Sequence, residues 1–204
     1  MGHPVLRMRA RPIDRSELYI ADEAFLCGLL SHVGRLVLSQ TLPQGYAEVA
    51  KRAAGAWPNA DDERAVFGFD AAAAAAALLR QWSLPELLCA AIQCASPPLA
   101  ARAKAEPQVV ELAQLVRLAA HCEELVCGRD AAAAMEALQE LAESEHGIDA
   151  QALEGLLLEL ESGIAQTADA LELRMQAVRM HEILEAAQLE IARESLGLVS
   201  EFSD

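Results

Sequence analysis

The sequence predicts an all-α protein, a multi-helical bundle with a long C-terminal helix. Three observations carry this. Hydrophobic residues make up 53% of the 204-residue chain and aromatic ones only 4%, so a core must be assembled mainly from Ala, Leu and Val. Ala and Leu favour helix because they lose little side-chain freedom there. No stretch of convincing length alternates apolar and polar residues with period two, the mark of a half-buried strand. Apolar residues instead recur at helical spacing, punctuated by capping residues, Gly and Pro.

The elements follow in order. Residues 1–20 read as an irregular basic segment, with Pro4 and Pro12 as breakers. Asp22 is placed to cap a helix to about Gln40, with Phe25, Leu29, Val33, Leu36 and Val37 at helical spacing. Pro43 suits the first turn of the next helix, and a Gly55–Asn59 turn follows. A short helix is expected from Asp61 to Val66, and the turn Phe67-Gly68-Phe69-Asp70 ends in an N-cap for the Ala71–Trp82 helix. Ser83 reads as the cap of the next helix, with Pro85 in its first turn and Pro97-Pro98 at its end. Longer helices are expected from about Pro107 to Cys127, from Asp130 to Glu145, from Asp149 to Glu161, and from Thr167 almost to the end. The Ala71–Ala77 and Ala131–Ala134 runs read as tight helix–helix contacts. In the last helix Ile183, Leu184, Ala187, Ile191, Leu198 and Val199 form a ragged apolar stripe that either closes the domain or pairs with another chain.

Net charge is -15, from 31 acidic and 16 basic residues, and it is unevenly spread. Residues 1–104 carry 10 acidic and 11 basic residues, and residues 105–204 carry 21 and 5. An acidic surface repels phosphate backbones and anionic lipids, so neither nucleic acid nor membrane is an expected partner. The five cysteines, Cys27, Cys89, Cys94, Cys122 and Cys127, form no CxxC pair and lie in apolar patterns, as buried thiols in a reducing bacterial cytoplasm would. Trp57 and Trp82 read as core anchors. His121 reads as a core or rim residue, His146 as a partner of a helix C-terminus, and His181 as solvent-facing.

The most informative segment is Ala24-Phe25-Leu26-Cys27-Gly28-Leu29-Leu30-Ser31-His32-Val33-Gly34-Arg35-Leu36. It resembles the central helix of the HD superfamily, where Gly-Leu-Leu-His-Asp-Ile-Gly-Lys/Arg-Leu is typical. Leu42-Pro43, Tyr46, the run Glu63–Asp70 with Phe67-Gly68-Phe69-Asp70, then Trp82 and Ser83-Leu84-Pro85-Glu86 follow at suitable spacing. Together they are similar to the HDOD family, the HD-related output domain of bacterial signalling proteins. The resemblance is good over about Ala24–Pro98 and weak to about Glu161. It implies an HDOD-like domain over residues 21–165, shortened at its N-terminus so that the face around Phe25 and Leu29 lies uncovered. It also implies a signalling or linker helix over residues 166–204, similar from about Met180 to Leu198 to helices that join HDOD domains to GGDEF-type cyclase domains.

HD enzymes hold one or two metal ions with His and Asp side chains on neighbouring helices, and the metal turns bound water into a nucleophile for phosphate ester hydrolysis. The resemblance places Ser31 and His32 where that family has His and Asp. Ala71, after Asp70, stands where His is frequent, and Ala95 and Ser96, beside Cys94, stand in place of a His-His pair. His32 with Cys94 supplies two ligands, short of the three a catalytic metal needs. Adjacent residues on a helix do not face each other, which argues against Ser31 and His32 as nucleophile and base. No catalytic residue, metal or cofactor is therefore expected. The chain reads as a non-enzymatic signal-transduction module, a pseudoenzyme acting through a protein partner or a homodimer formed by the C-terminal helix. Two alternatives stand: a sensor that takes a small molecule or nucleotide into the emptied pocket, and a residual phosphohydrolase using oxygen ligands such as Asp61, Asp62 and Asp70.

Overall fold

The computed structural model describes residues 15–53, 58–96, 105–128, 130–170, 172 and 178–201, with side chains from Ile20 to Arg193 except Ala170. The expectations for Trp57, Pro97-Pro98 and the side chains of Leu198 and Val199 lie outside these residues. The described chain is helical and contains no strand. The helices are α1 (Arg15–Ser31), α2 (Val33–Thr41), α3 (Pro43–Arg52), α4 (Ala60–Phe67), α5 (Ala71–Gln81), α6 (Glu86–Ala95), α7 (Pro107–Cys127), α8 (Ala131–His146), α9 (Ala150–Ala170) and α10 (Met180–Glu201).

Local chemistry sets most of the boundaries. Asn59 opens α4 with a reciprocal capping box: its Oδ1 accepts from the Asp61 and Asp62 N–H groups at 2.9 Å, and its own N–H donates to Asp62 Oδ2 at 3.4 Å. Asp70, Asp130 and Asp149 each accept a backbone N–H three residues on, satisfying donors that have no partner inside α5, α8 and α9. Gly68 takes φ 80°, the left-handed conformation that ends α4 and is costly for other residues.

Several sequence expectations are corrected. The first helix begins at Arg15, so Asp22 lies inside it, and it is interrupted only at His32. Residues Ile20–Thr41 still act as one rod, because the Leu36 N–H reaches the His32 carbonyl at 3.1 Å, and the rod meets α3 at 116°. Ser83 caps nothing. It takes φ 61° in the turn that closes α5, with the Leu84 N–H donating to the Leu79 carbonyl and the Ser83 N–H to the Arg80 carbonyl. Pro85 then precedes α6 without a side-chain cap. Helix α9 runs to Ala170, well past Glu161, and α10 starts at Met180, where Glu161 Oε2 of α9 accepts the Met180 N–H at 2.9 Å. Trp82 is 57% exposed and anchors no core, because the turn at α5's end faces it outward.

Two cores share one helix. Cys27, Ala75, Leu79, Leu88, Cys89, Ile92, Leu112 and Val116 join α1, α5, α6 and α7. Leu118, Cys122, Leu125, Met135, Leu138, Leu153, Leu157, Met180, Leu184 and Ala187 join α7, α8, α9 and α10. The C-terminal stripe thus closes the second core, since Met180, Leu184 and Ala187 are buried against it. The alanine runs act as read: Ala71, Ala75 and Ala76 are buried in α5, and Ala132 and Ala134 in α8. Smallness is required where α2 crosses α5. A Cβ on Gly34 would lie 1.8 Å from the Ala71 carbonyl oxygen and 2.9 Å from the Ala75 nitrogen. Gly34→Ala is therefore expected to prise α2 off α5 and to cost roughly 3 kcal/mol in urea unfolding, at the upper end of overpacking costs.

Candidate functional site

The positions that the family resemblance aligns with HD ligands converge on one cleft of about 650 Å³ between the α1–α2 rod, α4, α5, the end of α6, the facing side of α7 and the start of α8. Ser31, His32, Ala71, Ala95 and Ser96 all line it. Asp70 stands behind Ala71 as the buried N-cap of α5, and Cys94 is half-buried on α6 and is not among the lining residues. The structure thus brings five of the seven sequence candidates to one cleft and leaves Asp70 and Cys94 out of its lining.

The polar groups of this wall are tied to one another. Ser31 Oγ donates to the Gly28 carbonyl at 2.7 Å, back along its own helix. His32 Nε2 lies 3.0 Å from Glu123 Oε2 of α7, so the imidazole spans the cleft. This contact holds the Glu123 carboxyl below the ordinary carboxylate value, against the opposing effect of burial. His121 Nδ1 lies 3.0 Å from the Arg117 carbonyl, within α7. Arg117 itself pairs with Glu145 of α8. Asp70 accepts from the Arg64 guanidinium and, at 3.1 Å, from Ser96 Oγ, while its other oxygen accepts the Ala73 N–H at 2.8 Å. Ser96 therefore has a structural role of its own. It clips the end of α6 to the start of α5.

Glu63 is the group that sequence reasoning missed. It is 1% exposed, yet it sits in a short helix that otherwise reads as a solvated acidic turn. Its Oε2 accepts the Ala71 N–H at 2.7 Å, and its Oε1 accepts from Arg35 Nε at 3.3 Å. Arg35 also donates to the Pro58 carbonyl at 2.9 Å. One carboxylate thereby joins α2, α4 and the positive end of α5. The signal in the sequence is its place at the head of the Glu63–Asp70 run, seven residues before the Asp70 cap. Burial pushes the Glu63 carboxyl above its ordinary value, and the Ala71 N–H and Arg35 pull it back in part.

The donor chemistry does not fit a metal of the HD type. Alanines and serines occupy the expected ligand positions, and the two buried carboxylates spend their oxygens on arginines, backbone N–H groups and Ser96. Asp61 pairs with Arg64, and Asp62 belongs to the Asn59 capping box. Among the described residues no group of three His, Cys, Asp or Glu side chains is placed to hold a metal ion. No single described helix is long and apolar enough to cross a membrane.

Comparison with known proteins agrees with this frame. The HDOD domain family matches residues 8–98, somewhat under half of the chain. Over that segment the chain is similar to the HDOD family, and the likeness fits a module of the HD superfamily. The match reaches into the basic segment that precedes α1's described side chains and stops just after α6. Searches of curated proteins and of solved structures give no match.

Two outcomes test the Glu63 node. Glu63→Ala leaves Arg35 and the α5 N-terminus without their acceptor and is expected to cost about 3–5 kcal/mol in denaturant unfolding. Because the folded-state pKa of Glu63 is raised, the part of its contribution that depends on protonation is complete below the ordinary value of 4.5 and is lost as pH rises through the raised value. Urea midpoints of the native protein should therefore fall across that window relative to Glu63→Gln, which carries no titrating group there.

Proposed function

We propose that the chain is a non-enzymatic signal-transduction module that acts by contact between helices and other protein surfaces. The observation that carries this reading is the fate of the two buried carboxylates. Glu63 and Asp70 lie at the HD-type wall, yet each is bound by an arginine and by the start of α5, so neither is free to take a cation or a substrate proton. A site of this kind holds helices together. Helix α10 is the natural output element under this reading, since its first turns are fastened to α8 and α9 while it continues to Glu201. A GGDEF-type domain, as the C-terminal resemblance implies, would be one receiver of that output.

A second reading is favoured by the cleft itself. Its volume falls within the roughly 300–1,000 Å³ range of small-molecule sites, and it mixes small apolar walls with a few convergent polar groups. The cleft would then be a sensor pocket that biases the same helices. A thermal-shift screen with nucleotides and metabolites tests this, with Ala95→Trp as the blocked control. The sensor reading fails if no compound raises the native melting temperature.

The non-enzymatic reading has its own test. The purified chain, supplied with Mn²⁺ or Ni²⁺, should hydrolyse neither a phosphomonoester nor a cyclic dinucleotide above the metal-only rate. Freshly purified protein should contain well below one equivalent of iron, manganese or zinc. Turnover, or stoichiometric metal, overturns it.

A further inference from the structure

The α1–α2 rod is apolar on both of its sides. Its inward side packs Cys27 and Leu38 into the molecule. Its outward side carries Phe25, Leu29 and Leu36, which are 58%, 61% and 63% exposed. At about 100° per residue these three fall within about 40° of one another around the helix, so they form a single stripe. Leu26 flanks it. A helix that is apolar all round is normally covered on every side, and among the described residues this one is covered on one.

The stripe also lacks charge. Between Ala24 and Ala47 the only Asp, Glu, Lys or Arg is Arg35, and that guanidinium is turned to Glu63 and the Pro58 carbonyl. An uncharged face gives anionic lipid nothing to attract and a charged protein nothing to pair with. It lies in the near-neutral half of the sequence, where 10 acidic residues meet 11 basic ones, so a second copy approaching here meets little like-charge repulsion. In the described part of α10, Met180, Leu184 and Ala187 are spent on the second core.

Area is consistent with self-association. Each of the four outward side chains offers on the order of 100 Å² of apolar surface. Together they give roughly half of the about 800 Å² that each partner hides in a standard interface. That is the share expected of an apolar centre surrounded by a polar rim. We infer that this chain forms a two-fold symmetric dimer in which the Phe25–Leu29–Leu36 stripe of one copy packs on the same stripe of the other. A two-fold pair is also the commonest closed arrangement for identical chains.

Sedimentation velocity of the full chain from low to high micromolar concentration tests the dimer. A dimer is expected, with Leu29→Glu shifting dissociation at least tenfold toward monomer and Leu189→Glu on α10, also exposed at 54%, leaving it unchanged. Because Leu29 is outward-facing, circular dichroism should show Leu29→Glu fully folded, and Phe25→Ser provides a second, uncharged variant. A dimer insensitive to Leu29→Glu and Phe25→Ser overturns the proposal by placing the interface elsewhere. A monomer at all concentrations also overturns it. In that case a lower melting temperature for Leu29→Glu assigns the face to another part of this chain, and an unchanged one assigns it to a different protein.

Discussion

Helix α7 is the constraint on which the rest of the molecule depends. Leu112 and Val116 complete the core built by α1, α5 and α6, while Leu118, Cys122 and Leu125 complete the core built by α8, α9 and α10. Between these contacts the same helix presents Glu123 to His32 and Arg117 to Glu145. Every wall of the cleft is therefore referred to α7, directly or through one neighbour. The HDOD match stops at residue 98, before this helix begins, so the matched segment borrows part of its core from the sequence that follows.

The cleft wall shows how an HD-type frame is held together when its ligand positions carry Ser and Ala. Packed helices leave N-terminal N–H groups that need acceptors, and buried carboxylates are costly unless they are paired and hydrogen-bonded. Here the two needs meet. Asp70 and Glu63 both serve the first turn of α5, and Arg64 and Arg35 neutralise them in turn. Each pair joins different parts of the chain, so the buried carboxylate charge is balanced by arginine across helix boundaries. The result is a rigid polar seam with small residues above it.

The sequence reveals what is local and hides what is not. The caps at Asp70, Asp130 and Asp149, the turn at Gly68 and the break before Pro43 are legible because each depends on residues within a few positions. The five cleft-lining positions could be named because a family pattern aligns them, although nothing in their spacing shows that they face α7. Glu63 heads the run that carries the family resemblance, but its role could not be read there, because its partners Arg35 and Ala71 come from other helices. The His32–Glu123 contact spans from the rod to α7 and leaves no periodic trace. Trp82 failed as a core anchor for a related reason, since aromatic size suggests burial but the turn geometry decides direction. Phe25 and Leu29 keep helical spacing in the sequence, but that spacing does not show that their side of the helix faces outward.

The distribution of thiols has a practical consequence. Burial raises Cys27 and Cys122 to a pKa of about 11, and Cys89 is raised for the same reason, so these three are poor nucleophiles at neutral pH and closed to bulky reagents. The Cys127 thiol is also raised, by burial and then by Glu123 and Glu124, but it is exposed on the cleft rim in the last turn of α7, so access sets it apart. A fluorophore or spin label added there under native conditions would sit on the one helix that both cores share, beside Glu123 and Glu124. The native chain thus already carries an optical handle at the place where movement of either core against the other would register.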